Sequence, residues 1–255
     1  MSRLFVASLF AFIIPLVSNN YKKVTLGNRI ANAPDSLRIV SDIPPPHGYK
    51  RIISDKNSFA EWLRDISLKK DRHVYLYDGT LKKDQTAQFV VLDISVGKKD
   101  LQQCADALMR LRAEYLFSQR RYSEIAFKDN GHKSYKWTGG SDRKAFDKYL
   151  ETVFEMCGSA SLEKQLTPVS LHELQPGDVF IKGGFPGHAM IVIDAAINDK
   201  GQKAFMLAQS FMPAQDIHIV KNPMNDTLSP WYEEHDDQKI VTPEWVFHIN
   251  QLRRW

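Results

Sequence analysis

Cys104, His188 and Gln209 are the residues whose types and order suit thiol chemistry. A sulfur nucleophile must shed its proton, and a helix N-terminus or a neighbouring imidazole lowers the thiol pKa. The ring in turn needs a third polar group to fix its orientation. Cys104 lies in the first turn of a predicted helix over 100–116. Asp100 is a good N-cap, Gln103 completes a capping box, and no Gly or Pro interrupts the run. Cys104, Leu108, Leu111 and Tyr115 recur at helical spacing and mark its buried face. The thiol therefore meets the free N–H groups and the positive end of the helix dipole. His188 leaves the turn Gly183-Gly184-Phe185-Pro186-Gly187 at the mouth of an apolar strand, a place for a general base. Each has a structural alternative: Cys104 as a small apolar residue of the helix stripe, His188 as a hydrogen-bonded core histidine.

The third group follows from strand register. Asp178 to Lys182 and His188 to Asp194 read as two strands, followed by strands over 202–212 and 216–220. Asn198-Asp199-Lys200-Gly201 is a hairpin turn. With Ile197 opposite Gln202, His188 faces Phe211 and Gln209 is its diagonal neighbour on the same face. One bulge would bring Gln209 directly opposite. Ser210 points to the other face, which argues against a serine triad. Asp194 shares the face of His188 but lies about 20 Å along the strand. The expected roles are Cys104 as nucleophile, His188 as general base and then acid, and Gln209 as orienter. The Cys104 N–H is the oxyanion donor.

Other elements frame these residues. Ser58-Phe59-Ala60-Glu61 is a capping box that starts a helix running to about Ile66. His73–Tyr77 alternates into an Asp78-Gly79 turn, and 88–96 is strand-like. Ser141 caps a helix over 142–156, closed by Gly158, with Ala145, Phe146, Tyr149, Val153 and Phe154 on its apolar face. Helices precede an antiparallel sheet, the α+β pattern. Residues 51–255 read as one domain. Residues 19–50, with Pro44-Pro45-Pro46, read as an arm or linker on its surface. Residues 1–18 have the layout of a secretory signal: Met1-Ser2-Arg3, then apolar Leu4 to Val17. The apolar run is shorter than the about 20 residues of a membrane span, although a retained N-terminal anchor is the alternative. The expected location is secreted or periplasmic, with no membrane contact beyond that segment.

The chain has 255 residues, 43% of them hydrophobic, and a net charge of +4. No basic block interleaved with aromatics appears, so nucleic acid is not an expected partner. His73, His132, His218 and His248 lack metal-site spacing, and neither metal nor cofactor is expected. The acidic loop Glu233–Asp237 lacks the EF-hand pattern and reads as solvated rather than calcium-binding. Arg110, Arg112 and Glu114 either line a cleft for an anionic ligand or form a solvated helix face. Trp231, Tyr232 and Trp245 either stack on sugars or belong to the core. In an oxidising compartment Cys104 and Cys157 can be bridged, or one can be reactive and the other buried.

The order of a Cys at a helix N-terminus, a His opening a strand and a polar residue on the next strand resembles the papain-like cysteine hydrolases. Gly177-Asp178 followed by Gly187-His188 and Ile191-Val192 is similar to the NlpC/P60 and CHAP amidases and endopeptidases. Those families usually carry Asp or Asn before the Cys, where Gln103 stands here. A closer resemblance spans roughly residues 50 to 254. Leu101-Gln102-Gln103-Cys104-Ala105-Asp106, Pro186-Gly187-His188, Leu207-Ala208-Gln209-Ser210, Ser229-Pro230-Trp231-Tyr232 and Thr242-Pro243-Glu244-Trp245 are among the segments that resemble domain of unknown function 4846, an exported family found chiefly in Bacteroidetes. That family carries no established activity, and its usual small residue at position 157 argues against a structural disulfide. Together the resemblances imply a papain-like α+β fold and an exported thiol hydrolase cleaving an amide, with peptidoglycan stem peptides or another peptide as substrate. The alternative is a non-catalytic envelope or carbohydrate-binding module on the same scaffold. The oligomeric state stays open.

Overall fold

The apolar hairpin around His188 forms the middle of the sheet. The computed structural model describes residues 36–234 and 238–255. The segment read as a secretory signal, the arm up to residue 35, and His235, Asp236 and Asp237 of the acidic loop lie outside the described residues. In chain order the strands are β1 (Tyr49–Arg51), β2 (Gln88–Val91), β3 (Ala126–Lys128), β4 (Ser134–Lys136), β5 (Thr167–Pro168), β6 (Val179–Lys182) and β7 (His188–Asn198). They continue with β8 (Lys203–Gln209), β9 (His218–Val220), β10 (Trp231–Glu233), β11 (Lys239–Val241), β12 (Val246–His248) and β13 (Leu252–Arg254). The helices are α1 (Phe59–Arg64), α2 (Cys104–Ser118), α3 (Arg143–Met156) and α4 (Ser159–Glu163).

Among the described residues a nine-stranded sheet runs in the order β2-β9-β8-β7-β6-β13-β5. All of its pairings are antiparallel. β6 takes the first residues along one edge of β7, and β1 takes Ala196 to Asn198 on that same edge. β10 pairs with β8 beside β9. The architecture is mixed α/β: one large antiparallel sheet and few helices.

β7 is apolar on both sides because both faces of the sheet are covered. Ala189, Ile191 and Ile193 enter the larger core cluster, whereas Met190 and Val192 enter a second one. Beyond Ile193 the parity inverts: Ala195 joins the second cluster and Ala196 the first. The cause is a bulge. Val192 pairs with Leu207 but Asp194 pairs with Met206, so Ile193 has no partner, and one extra residue turns every later side chain to the opposite face. The hairpin turn is also one residue longer than expected. Ile197 pairs with Lys203 rather than Gln202, and the bulge then returns Ile191 to Ala208, the register read from the sequence for the His188 end.

Asp194, fully buried beside the bulge, accepts from Arg51 Nε at 2.7 Å and Arg64 Nε at 2.6 Å. Two guanidinium groups supply the partners a buried carboxylate requires, and they fasten β1 and α1 to β7. Residues 36–50 do not lie on the surface as an arm. Leu37, Val40 and Ile43 are buried in the main cluster, and Tyr49 to Arg51 form β1.

Two helices begin where Ser58 and Asp142 cap them. Ser58 Oγ accepts from the Glu61 N–H at 3.2 Å and Asp142 Oδ1 from the Ala145 N–H at 3.0 Å. Asp142 therefore takes the cap expected of Ser141. His73–Tyr77 forms isolated bridges, from Tyr75 to Leu81 and from Leu76 to Gln215, in place of a regular strand. α2 packs against β7 through a continuous buried side that includes Ala105, Leu108, Met109 and Leu111. Among the described residues no helix is long and apolar enough to cross a membrane.

Candidate active site

α2 starts later than the capping pattern predicts, and this places Cys104 as its first residue. Gln103 is the N-cap, and its N–H donates to Asp106 Oδ2 at 3.1 Å. Asp100 is used differently: its Oδ1 accepts from the Ala214 N–H at 2.7 Å and from Gln103 Nε2 at 3.1 Å. Ser210 Oγ lies 3.0 Å from the Gln102 carbonyl oxygen and 2.8 Å from that of Gln215. The chain entering α2 is thus tied to the segment that follows β8, which fixes Cys104 relative to the sheet. Ser210 points away from His188, as its parity requires, and serves this structural purpose.

The thiol does not have the lowered pKa expected at a helix terminus. It is pushed up to about 11, first by burial and second by the charge of Asp106. The N–H groups of Ala105, Ala189 and Cys104 itself pull the other way and do not prevail. Removing a small anion from water outweighs a few partial charges. Asp106 has its own carboxyl pushed well above the usual range by burial, and its Oδ1 has no hydrogen-bond partner.

The Ala189 N–H faces the sulfur, but alternate residues of β7 face opposite sides of the sheet: Cys104 packs with Ala189 on the side of the main cluster, whereas the His188 ring lies with Phe247 on the side of the second, so the structure does not bring the thiol and the imidazole together. His188 is 1% exposed. Phe211, Trp245 and Phe247 surround its ring at centroid distances of 4.7, 5.3 and 5.9 Å. Burial lowers its pKa to about 4, with the bond to Gln209 opposing. The ring is neutral at neutral pH. Its Nε2 lies 2.7 Å from Gln209 Oε1, a contact made diagonally across β7 and β8. A carbonyl oxygen only accepts, so Nε2 carries the proton and Nδ1 keeps its lone pair. Among the described residues Nδ1 has no hydrogen-bond partner, and no hydrogen bond joins it to Sγ in this resting arrangement.

Gln209 is itself held, by residues the sequence reading did not single out for this purpose. Its Nε2 donates to Glu244 Oε2 at 2.7 Å and lies 3.3 Å from Nε2 of His218, which is directly opposite on β9. His218 Nδ1 lies 2.9 Å from the Asp216 carbonyl oxygen, and Lys82 pairs with Glu244 Oε1 at 2.6 Å. Burial also lowers the His218 pKa, to about 3. No local spacing signals these residues, since Glu244 is 35 positions beyond Gln209.

Cys104 and Cys157 are both free thiols, which removes the bridged alternative. Both line a cleft of about 400 Å³, bounded also by Ser159, Gly184, Gly187 and the exposed Phe185 and Met212. Its charged lining is acidic: Asp100, Asp106 and Glu155. The loop that shapes one wall requires glycine at two positions for different reasons. A Cβ on Gly187 would meet the Gly184 carbonyl oxygen at 2.3 Å and Ser159 Oγ at 2.7 Å, and Gly184 has φ +108°.

The remaining candidates are structural. Arg110 donates to the Ser95 carbonyl oxygen and to Gln102 Oε1, both at 2.7 Å. Glu114 receives both Nη groups of Arg143, and Arg112 lies over Phe59 at 5.1 Å. Trp231 and Tyr232 are core residues, too buried to stack on sugars, and Trp245 covers the His188 ring.

Compared with known proteins, the chain matches one family model, described as a domain of unknown function (4846), over residues 39–141 and 130–254. No curated protein matches the chain. No solved structure matches it either.

Proposed function

Because the chain belongs to the domain of unknown function 4846 family, which assigns it no activity, we propose from the chemistry of the site that it is a papain-like thiol hydrolase cleaving an amide bond. The reading is supported by a free Cys104 at the start of α2 that lines a cleft, and by a His188 whose Nε2–H bond to Gln209 leaves Nδ1 as an acceptor. The step requires the imidazole to reach the thiol's side of β7, where the thiol proton passes to Nδ1 as sulfur attacks the carbonyl carbon. The free Cys104 N–H at the helix start supports the oxyanion. Collapse of the adduct sends the proton from Nδ1 to the departing amine and leaves a thioester. Water then attacks, giving its proton to Nδ1. The acid product leaves as sulfur takes that proton back. With a thiol raised to about 11 and an imidazole lowered to about 4, both are neutral at rest, so proton transfer accompanies attack.

The acidic cleft suits a peptide bearing a free amine, as a peptidoglycan stem peptide does, and export through residues 1–18 is part of the same proposal. Cys104→Ala and His188→Ala are each expected to abolish turnover of such peptides while the circular dichroism spectrum stays native. Full activity in either variant sinks the mechanism. The raised thiol pKa favours a second reading, a binding module on the envelope. Turnover lost with Cys104 excludes it; ligand binding without turnover supports it. N-terminal sequencing of the mature protein tests export, and an intact Met1 start on cell-associated protein counts against a cleaved signal.

A further inference from the structure

The hydrogen bonds around Gln209 form a chain in which every donor is determined by its neighbour. Glu244 Oε2 only accepts, so the Gln209 group 2.7 Å away is the NH2 and not the carbonyl. The opposite face of that NH2 gives the same answer independently. His218 Nδ1 faces the Asp216 carbonyl oxygen and must carry the ring proton, so His218 Nε2, 3.3 Å from Gln209, presents a lone pair. A flipped amide would set its oxygen against both a carboxylate and a bare ring nitrogen. Its NH2 would meanwhile face His188 and require the opposite tautomer there. Lys82 pairs with the far oxygen of Glu244 at 2.6 Å, in a site where both side chains are mostly buried.

The turn that carries Glu244 is rigid for local reasons. Val241 pairs with Val246, and between them the Thr242 N–H donates to the Trp245 carbonyl oxygen at 2.9 Å while the Trp245 N–H donates to Thr242 Oγ1 at 3.1 Å. The same turn places Trp245 over the imidazole. One short hairpin therefore governs both the plane and the proton of His188.

We infer that Glu244, held by Lys82, is a positioning residue that locks the Gln209 amide and through it fixes His188 as the Nε2–H tautomer. Its catalytic consequence rests on the Cys–His reading; the tautomer itself does not. The test is long-range ¹⁵N–¹H NMR of the full chain with ¹⁵N-labelled histidine at pH 7.5. In the wild type His188 should show a protonated Nε2 and a bare Nδ1, and a protonated Nδ1 overturns the inference. Glu244→Gln, combined with Lys82→Met so that no ammonium is left unpaired, offers the Gln209 amide both a donor and an acceptor. His188 should then become a mixture of tautomers. Should that variant not fold, Glu244→Asp keeps the charge opposite Lys82 but draws the carboxylate back, and the same mixing is expected. An unchanged, single-tautomer spectrum in a folded variant removes Glu244 from the role. On an amide substrate kcat should fall in proportion to the Nε2–H tautomer lost, about twofold for an equal mixture, at unchanged KM. The expected tautomer with no hydrolysis by the wild type defeats the hydrolase reading and leaves this one standing. Turnover with an unchanged tautomer in the variant does the reverse.

Discussion

At Cys104 two electrostatic effects compete. The helix terminus and three N–H groups favour thiolate; burial and Asp106 disfavour it, and burial prevails. The alkylation rate of Cys104 by a small haloacetamide should therefore rise with a midpoint above the ordinary thiol value of about 8.5. Asp106→Asn keeps an acceptor for the Gln103 N–H but removes the negative charge, so its midpoint should move to lower pH. A wild-type midpoint below 8.5, or an unshifted midpoint in Asp106→Asn, contradicts the balance drawn from the site. Without substrate the thiol is then a poor nucleophile. A neutral thiol is also slow to oxidise.

At the level of elements the site depends on a loop and a bulge. The Gly183–Gly187 turn brings the backbone of β7 against the start of α4, and Gly187 is the position where even a methyl group finds backbone oxygen within 2.8 Å. Gly187→Ala should lower stability by about 1–3 kcal/mol, the usual penalty for overpacking, as read by urea denaturation. It should also change Cys104 alkylation, because the displaced wall borders the thiol. Unaltered stability and reactivity would mean the loop yields freely. The bulge at Ile193 acts at a distance: it turns Asp194 towards Arg51 and Arg64 while keeping the His188 end of β7 in register with β8.

For the whole molecule the buried histidines set the response to acid. In the unfolded chain each ring takes a proton near pH 6.5, whereas in the folded protein His188 waits until about 4 and His218 until about 3. Below pH 6.5 the unfolded state binds more protons, so stability rises with pH across this interval and is lost as pH falls through it. Between about pH 6 and 4 each ring contributes a slope of about 1.4 kcal/mol per pH unit. Unfolding free energies measured at pH 7, 6 and 5 should fall increasingly steeply. A flat profile would show that both rings are protonated in the folded protein as readily as in the unfolded chain, and half the expected slope would show that one is. Buried, hydrogen-bonded neutral rings thus make the site a stability liability in acid while preserving a base in neutral solution.

Much of this arrangement is legible in the residues alone. Ser58, the apolar run of β7, the Asn198–Gly201 turn and the helical stripe of α2 are local signals, because caps, turns and periodicity act over a few bonds. They put Cys104 at a helix start and Gln209 diagonal to His188. The register survived a turn misread by one residue only because the bulge at Ile193 compensated for it, and no local feature announces a bulge at the end of the β-branched run Ile191-Val192-Ile193. The state of the thiol, the burial of the segment around Val40 and the hold of Glu244 on Gln209 depend on which distant groups come together. Burial and hydrogen-bond partnership are properties of packing rather than of neighbours in the chain. The sequence by itself determined which residues carry reactive groups and which elements bear them; only the tertiary structure decided their desolvation, their partners and the position of the imidazole proton.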